Sequence, residues 1–390
     1  MRTVCYQVNL QKGWGGGEVY TTFFTRALAA AGVRTVLFAH PEASHWAGRL
    51  PGGCEIVPVE DAGRIAEKLP KHERCLLVYH TPAGESHVAP LRAAGHFVTC
   101  FAHMPLYGRD PASLRPYELV VPVSQHVLNS LRAAGIASGY SEPLYGVADL
   151  SGRNGGATHS VTKKPPYDWD LRKGRDRLLS LMNPVYDRFR PHPTFERKPG
   201  ITLGIVSRLT PIKQFPLLFK HLAPVLARYP EFNLEIFGSG GYASVRDLRR
   251  ALAPVRGRVR FWGQQQDVGS IYRLLDYLLT GLPEKEALGL NVIEAQACGT
   301  PVLAVDAPPF TETVAAEVTG LLYTDPRKDE GRSFNELLGR ITATPFKLDT
   351  QAATSHLQRF SESAFYERIG RLVKAADAIL SSSKSIQTGP

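Results

Sequence analysis

Apolar residues in the first 150 positions fall into short runs separated by stretches with helical spacing. Val4–Val8 predicts a strand, Val19–Ala31 a helix closed by Gly32, and Val36–Ala39 a second strand. Runs at Cys75–Tyr79, Phe97–Phe101 and Leu119–Val123 extend the series. Strands a helix apart imply crossover connections, and so a parallel sheet. The alternation breaks over residues 150–200, which hold six prolines and five glycines around one basic helical candidate, Trp169–Met182. It resumes with strands at Ile201–Val206, Leu234–Phe237, Val259–Trp262, Tyr277–Thr280 and Val302–Val305, and helices at Phe215–Arg228 and Val245–Leu252. From Ser361, apolar residues at Phe365, Ile369, Leu372, Val373, Ala376, Ile379 and Leu380 predict an amphipathic helix.

A chain of 390 residues exceeds one ordinary core, so two parallel-sheet α/β domains in series are expected. Their expected limits are 1–150 and 200–360, with a basic Pro/Gly-rich excursion and linker at 151–199. The final helix is expected over 361–380 and a disordered polar tail over 381–390.

Composition narrows the class. An apolar share of 43% with 21% charged residues describes a globular protein, and no apolar run reaches the 18 residues of a membrane span. The N-terminus enters a strand pattern directly and lacks a signal-peptide core. The five cysteines at 5, 54, 75, 100 and 298 sit at neither redox nor zinc spacing, which predicts reduced thiols and a cytoplasmic protein. Net charge is +10, and residues 151–200 carry 11 Lys/Arg against 5 Asp/Glu. Such an excess suits phosphate-rich ligands or anionic lipid, or is simply a solvated segment. No nucleic-acid-binding motif accompanies it, so nucleic acid is not an expected partner.

Parallel sheets bind ligands at the carboxyl ends of their strands, and four turns here occupy that position. Gly13-Trp14-Gly15-Gly16-Gly17-Glu18 lies between the first strand and helix. Its glycines let backbone N–H groups approach an anion at a helix start, although taken alone they fit a plain tight turn better. Arg208 and Lys213 follow the first strand of the second domain and suit phosphate, as a planar fork and a point charge. Gly238-Ser239-Gly240-Gly241 ends another strand. The richest segment runs from Pro283 to Pro301, where Gly289 marks a loop and Val292–Cys298 is expected to be a helix. Glu294 is placed to accept hydrogen bonds from a diol such as a ribose, and Glu286 enters from the preceding loop. Their apolar neighbours Leu288, Leu290, Val292 and Ile293 predict a buried carboxylate pair.

The Glu286-x7-Glu294 segment with its Cys298-Gly299-Thr300-Pro301 tail resembles the signature of glycosyltransferase family 4, also called group 1, enzymes of the GT-B fold. Gly16-Gly17-Glu18, Val121-Pro122-Val123-Ser124, Gly146-Val147-Ala148-Asp149, Arg208 with Lys213, Phe261-Trp262-Gly263, Asp276 and Gly320-Leu321-Leu322 also match in order. The resemblance implies two Rossmann-like domains facing across a cleft, the first binding the acceptor, with the last helix crossing back to it. It implies transfer of a sugar from a nucleoside-diphosphate sugar, with retention, without cofactor or metal. A UDP-sugar is the favoured donor and a GDP-sugar the alternative. Arg208 and Lys213 would neutralise the departing diphosphate, and Glu294 would hold the ribose. Glu286 and the N–H groups around Gly289, Leu290 and Asn291 would hold the sugar, with Gly16, Gly17 and Gly238 also at the donor. His103 would stand at the reacting centre, in preference to His80, which also follows a strand.

The chain departs from the family pattern at Leu288, Asn291, Tyr145 and Thr280-Gly281, which leaves the donor sugar open. The acceptor would be a glycan, a lipid-linked sugar or a small molecule, as in bacterial-type surface polysaccharide or glycolipid synthesis. The segment 163–190 would either lie on an anionic membrane, making the protein peripheral on its inner face, or pack Trp169 and Leu178 against its own domain. A nucleotide-sugar epimerase of the same shape and a non-catalytic polyanion-binding protein are the competing readings.

Overall fold

The computed structural model describes residues 4–71, 73–147, 160–169, 174, 176–178, 180–182 and 193–382. Two compact units form, one from Met1–Val147 with Gln358–Pro390 and one from Ala148–Leu357.

The first unit holds strands β1 (Val4–Asn9), β2 (Arg34–Ala39), β3 (Glu55–Pro58), β4 (Leu76–Tyr79), β5 (Phe97–Ala102) and β6 (Leu119–Pro122). They pair in parallel in the order β3-β2-β1-β4-β5-β6. Helix α1 (Gly16–Ala30) follows β1, α2 (Glu85–Ala93) follows β4, and α3 (Gln125–Ala133) follows β6. Ser124 caps α3 by accepting from the Val127 N–H. Strands β4 and β5 are buried at every position, as a sheet covered on both faces requires, which is why they read as unbroken apolar runs.

The second unit repeats this plan with β7 (Ile201–Val206), β8 (Phe232–Phe237), β9 (Val259–Gly263), β10 (Tyr277–Leu279), β11 (Val302–Val305) and β12 (Gly320–Tyr323). Their order is β12-β11-β10-β7-β8-β9, again all parallel. Helices α4 (Phe215–Ala227), α5 (Tyr242–Ala251), α6 (Val268–Arg273) and α7 (Leu290–Ala297) connect them. In both sheets the chain reverses direction of growth next to its first strand, between β1 and β4 and between β7 and β10. Such switch points leave a crevice at the strand ends.

The last helix, α8 (Glu362–Ser382), belongs to the first unit. Phe365 and Ile369 are buried, and the Phe365 ring meets the edge of Tyr20 from α1 at 5.5 Å. Each such apolar side chain contributes roughly 1.5–3 kcal/mol when taken from water. Arg371 adds hydrogen bonds of 2.5 and 3.0 Å to the two oxygens of Glu142.

Several helix starts differ from the hydrophobic pattern. Helix α1 begins at Gly16, before the expected Val19, because glycines carry no apolar signal, and α7 begins at Leu290 instead of Val292. Strands β3 and β12 escape the pattern; each is a four-residue strand at the edge of its sheet. In the basic excursion, residues 160–168 line the ends of β8 and β9. Lys164 N donates to Trp262 O at 2.9 Å, Asp168 N to Gly240 O at 2.9 Å, and Gly240 N to Pro166 O at 3.0 Å. Helix occurs at 174, 176–178 and 180–182. Ala148, Asp149, Arg172, Lys173, Arg175 and the tail from residue 383 lie outside the described residues.

Candidate active site

At the switch point of the second sheet, Lys213 from the loop after β7 forms an ion pair with Glu286 from the loop after β10. The two loops pack closely: a Cβ on Gly281 would stand 2.6 Å from Lys213 O. Both side chains are half-buried, at 24% and 17% exposure, so each keeps a face toward solvent. Arg208 lies on the same loop as Lys213, is exposed, and makes no side-chain hydrogen bond or ion pair among the described residues. Its position depends on β8. Ser207 N donates to Phe237 O and Leu209 N to Ser239 O, continuing the ladder past the strand ends. Gly238 makes that approach possible, since its φ is +146° and a Cβ there would lie 1.9 Å from Ser207 O.

Helix α7 starts beside the ion pair. Gly289 is its N-cap in the left-handed region, φ 81°, and supplies no capping side chain. The first-turn N–H groups of a helix have no partner within it, and here they belong to Leu290 and Asn291. Asn291 Nδ2 donates to Val206 O at 3.2 Å, which ties the helix start to the end of β7 and commits this side chain to the fold. Glu294 accepts a 2.7 Å hydrogen bond from the hydroxyl of Tyr272 on α6. The expected buried pair of carboxylates is therefore corrected. Glu286 and Glu294 are half-buried, and each has a partner of its own in Lys213 and Tyr272, because one stands in a loop and the other in the helix. Nothing in residue spacing singles out Tyr272.

In the first unit, α1 begins at Gly16 and Gly17, with Gly15 as an N-cap that again offers no side-chain bond. A Cβ on Gly17 would meet nothing within 4 Å, so the protein's own packing does not require glycine there. Tyr20, one turn on, presents its edge to His103 with ring centroids 4.9 Å apart. His103 also stacks on His80 at 6.1 Å. His80 Nε2 is 2.8 Å from Gln7 Oε1, and Gln7 Nε2 donates to Thr25 Oγ1 at 2.9 Å, so a buried polar chain crosses β1 beneath the histidines. His103 Nε2 and His80 Nδ1 are buried with no partner among the described residues. Burial pushes His103 down to about 4. Burial, with His103 alongside, takes His80 well below the ordinary histidine range. Both rings are therefore neutral at pH 7.

Among the described residues, no group of His, Cys, Asp and Glu is placed to hold a metal ion, and no helix is long and apolar enough to cross a membrane.

The chain is similar to several known proteins. A family model described as "Glycosyl transferases group 1" matches residues 189–338. The D-inositol 3-phosphate glycosyltransferase of Kribbella flavida is 24% identical over 393 residues, covering 89% of this chain and 87% of that protein. Its counterpart from Rhodococcus erythropolis is 32% identical over 189 residues, 45% of this chain and 41% of that protein. A GDP-mannose-dependent monoacylated alpha-(1-6)-phosphatidylinositol monomannoside mannosyltransferase of Corynebacterium glutamicum is 34% identical over 149 residues, 36% of this chain and 38% of that protein. The matches thus span under half of the last two relatives. Among solved structures, Anabaena Alr3699/HepE in complex with UDP and glucose superposes with a TM-score of 0.66 at 18% identity, covering 96% of this chain and all of that one. The matched segment contains the ion pair, both glutamates and the α7 helix start, and the superposition extends the fold to both units. Residues 189–338 thus carry a segment matching the group 1 glycosyltransferases, and the chain has the GT-B fold.

Proposed function

We propose that this protein transfers a sugar from a nucleoside-diphosphate sugar to an acceptor hydroxyl with retention at the anomeric carbon. The observation that carries the reading is the Lys213–Glu286 ion pair at the switch point, flanked by unpaired Arg208 and the open start of α7. In the reaction the bond from the anomeric carbon to the diphosphate oxygen breaks and its electron pair leaves with the diphosphate. The acceptor oxygen forms the new bond and its proton is lost to the departing phosphate or to water. Arg208 and Lys213 face the charge that develops on the diphosphate. Glu294 accepts from the ribose, with the Gly238 turn at the nucleotide. Glu286 and the N–H groups of Gly289, Leu290 and Asn291 hold hydroxyls of the sugar. In the first unit, the helix start at Gly16 and Gly17, with open space at Gly17, would meet a phosphate, and neutral His103 would donate to a sugar hydroxyl.

A UDP-sugar is the favoured donor, supported by the UDP and glucose bound in HepE, with a GDP-sugar as the alternative that the Corynebacterium relative's name supports. For the acceptor we favour a lipid-linked sugar, met at an anionic membrane by a protein that has no spanning helix among its described residues. Leu178, Leu181 and Met182, at i, i+3 and i+4 on one helical face, are 62, 70 and 46% exposed. Exposed Arg177 lies beside them, and Lys163 and Lys164 are exposed in the same segment. An apolar face edged by cations fits an anionic bilayer surface.

Thermal unfolding in the presence of UDP, GDP and their sugars tests the donor reading. A ligand at 100 times its Kd adds about 2.7 kcal/mol of stability, and a shift that is reduced in Glu294→Gln is expected. Absence of a shift with every nucleotide overturns it. Release of a free epimerised sugar nucleotide would instead identify an epimerase.

A further inference from the structure

We infer that Tyr272 is the positioning residue of Glu294, and that the Cys298-Gly299-Thr300-Pro301 tail acts in ligand binding by holding Tyr272 in place. This rests on the proposed ribose role of Glu294.

A glutamate on an open helix face has several rotamers, and a diol gains two good hydrogen bonds only when the carboxylate already lies in their plane. Tyr272 restricts it. The phenol is fully buried, and its hydroxyl donates to Glu294 Oε2 at 2.7 Å. Burial, reinforced by the neighbouring carboxylate, holds the phenol well above its ordinary range, so it remains a donor at every working pH.

The backbone of Tyr272 is itself tied down from the far end of the motif. Thr300 Oγ1 donates to Tyr272 O at 2.6 Å, while Thr300 N donates to Ala295 O at 2.9 Å. One threonine therefore joins the end of α7 to the helix that carries the tyrosine. The start of α6 is fixed as well, because Asp267 accepts from Ser270 N at 3.0 Å. Pro301 O then receives Leu278 N at 2.9 Å, anchoring the tail to β10. The path runs Leu278, Pro301, Thr300, Tyr272, Glu294: a brace from the central sheet to one carboxylate. Each polar member is hydrogen-bonded to the next, the kind of supporting shell that holds a binding group in one geometry.

Titration calorimetry with UDP and with 2′,3′-dideoxy-UDP, or the guanosine pair if that base is bound, tests the brace in the full chain. Tyr272→Phe is expected to weaken the ribonucleotide about tenfold, the effect of one charge-assisted hydrogen bond, and to leave the dideoxy compound unchanged. In a Glu294→Gln background the same change is expected to add nothing, since the two act as one unit. Thr300→Val, which keeps the side-chain shape, is expected to give a smaller loss with the same selectivity. Equal losses for both nucleotides, or additivity with Glu294→Gln, would overturn the brace and leave Tyr272 as core packing. A selective loss in Glu294→Gln with none in Tyr272→Phe would also overturn it, while sparing the ribose role. If Glu294→Gln itself affects both nucleotides alike, the ribose reading fails and the brace with it.

Discussion

Lys213 and Glu286 lie 73 residues apart in sequence and are ion-paired at the boundary between β7 and β10. The pair joins the group proposed to meet the diphosphate to the group proposed to meet the sugar, so the two functions are separable by mutation. Lys213→Gln is expected to weaken nucleoside-diphosphate binding and to lower kcat/KM by about 10²–10³, the scale of one transition-state charge contact. Glu286→Gln is expected to retain the diphosphate and lose transfer. Binding assays run beside initial rates check this, and equal loss of nucleotide binding in both variants would count against the division of roles.

Gly17 offers a test in which stability and activity move in opposite directions. Alanine favours helix over glycine by up to about 1 kcal/mol, and no protein atom lies within 4 Å of the position its Cβ would take. Gly17→Ala is expected to raise the unfolding midpoint slightly while lowering kcat/KM. A variant that is more stable and fully active would remove Gly17 from the site.

The histidines predict a pH dependence of stability. His103 falls from an ordinary 6.5 to about 4 through burial, and His80 moves the same way. The unfolded chain therefore takes up protons that the folded chain refuses as pH drops below about 6.5. The contribution of neutral His103 is fully present above that pH and is lost as pH falls toward 4, after which it levels off. Urea midpoints at pH 7, 5.5 and 4.5 should decline less steeply in His103→Asn and in His80→Asn than in the parent. Parallel curves would contradict this assignment.

Membrane docking through the exposed helical face is checked by flotation with vesicles of phosphatidylcholine alone and with added phosphatidylglycerol. The protein is expected to float with the anionic vesicles, and Leu178→Glu with Leu181→Glu should abolish it. Activity on a soluble acceptor should be unaffected. Flotation that persists in the double variant would assign membrane contact elsewhere.

Much of the architecture is legible in the sequence. Buried parallel strands such as Phe97–Ala102 and Ile201–Val206 advertise themselves because both faces are covered, so nearly every position is apolar. Edge strands such as Glu55–Pro58 have one neighbour and three exposed residues out of four, leaving no pattern to detect. Candidate site residues were legible where chemistry is written in single positions: the glycine before a helix, the cation after a strand. Their pairings were not. Lys213 meets Glu286 only because the sheet order places β10 beside β7, and Tyr272 meets Glu294 only through the packing of α6 on α7. The sequence overstates burial of the two glutamates for the same reason, since apolar neighbours along the chain do not determine which way a loop faces.

The return of α8 to the first unit bears on how the protein is made. Residues 4–147 are synthesised before the second unit, yet the edge of Tyr20 acquires Phe365, and Glu142 acquires Arg371, only after that whole unit has been translated. The second unit, drawn from one continuous stretch, can close as soon as it clears the ribosome. The first must wait with the apolar seat of α8 uncovered, so the unit begun before the other is completed after it.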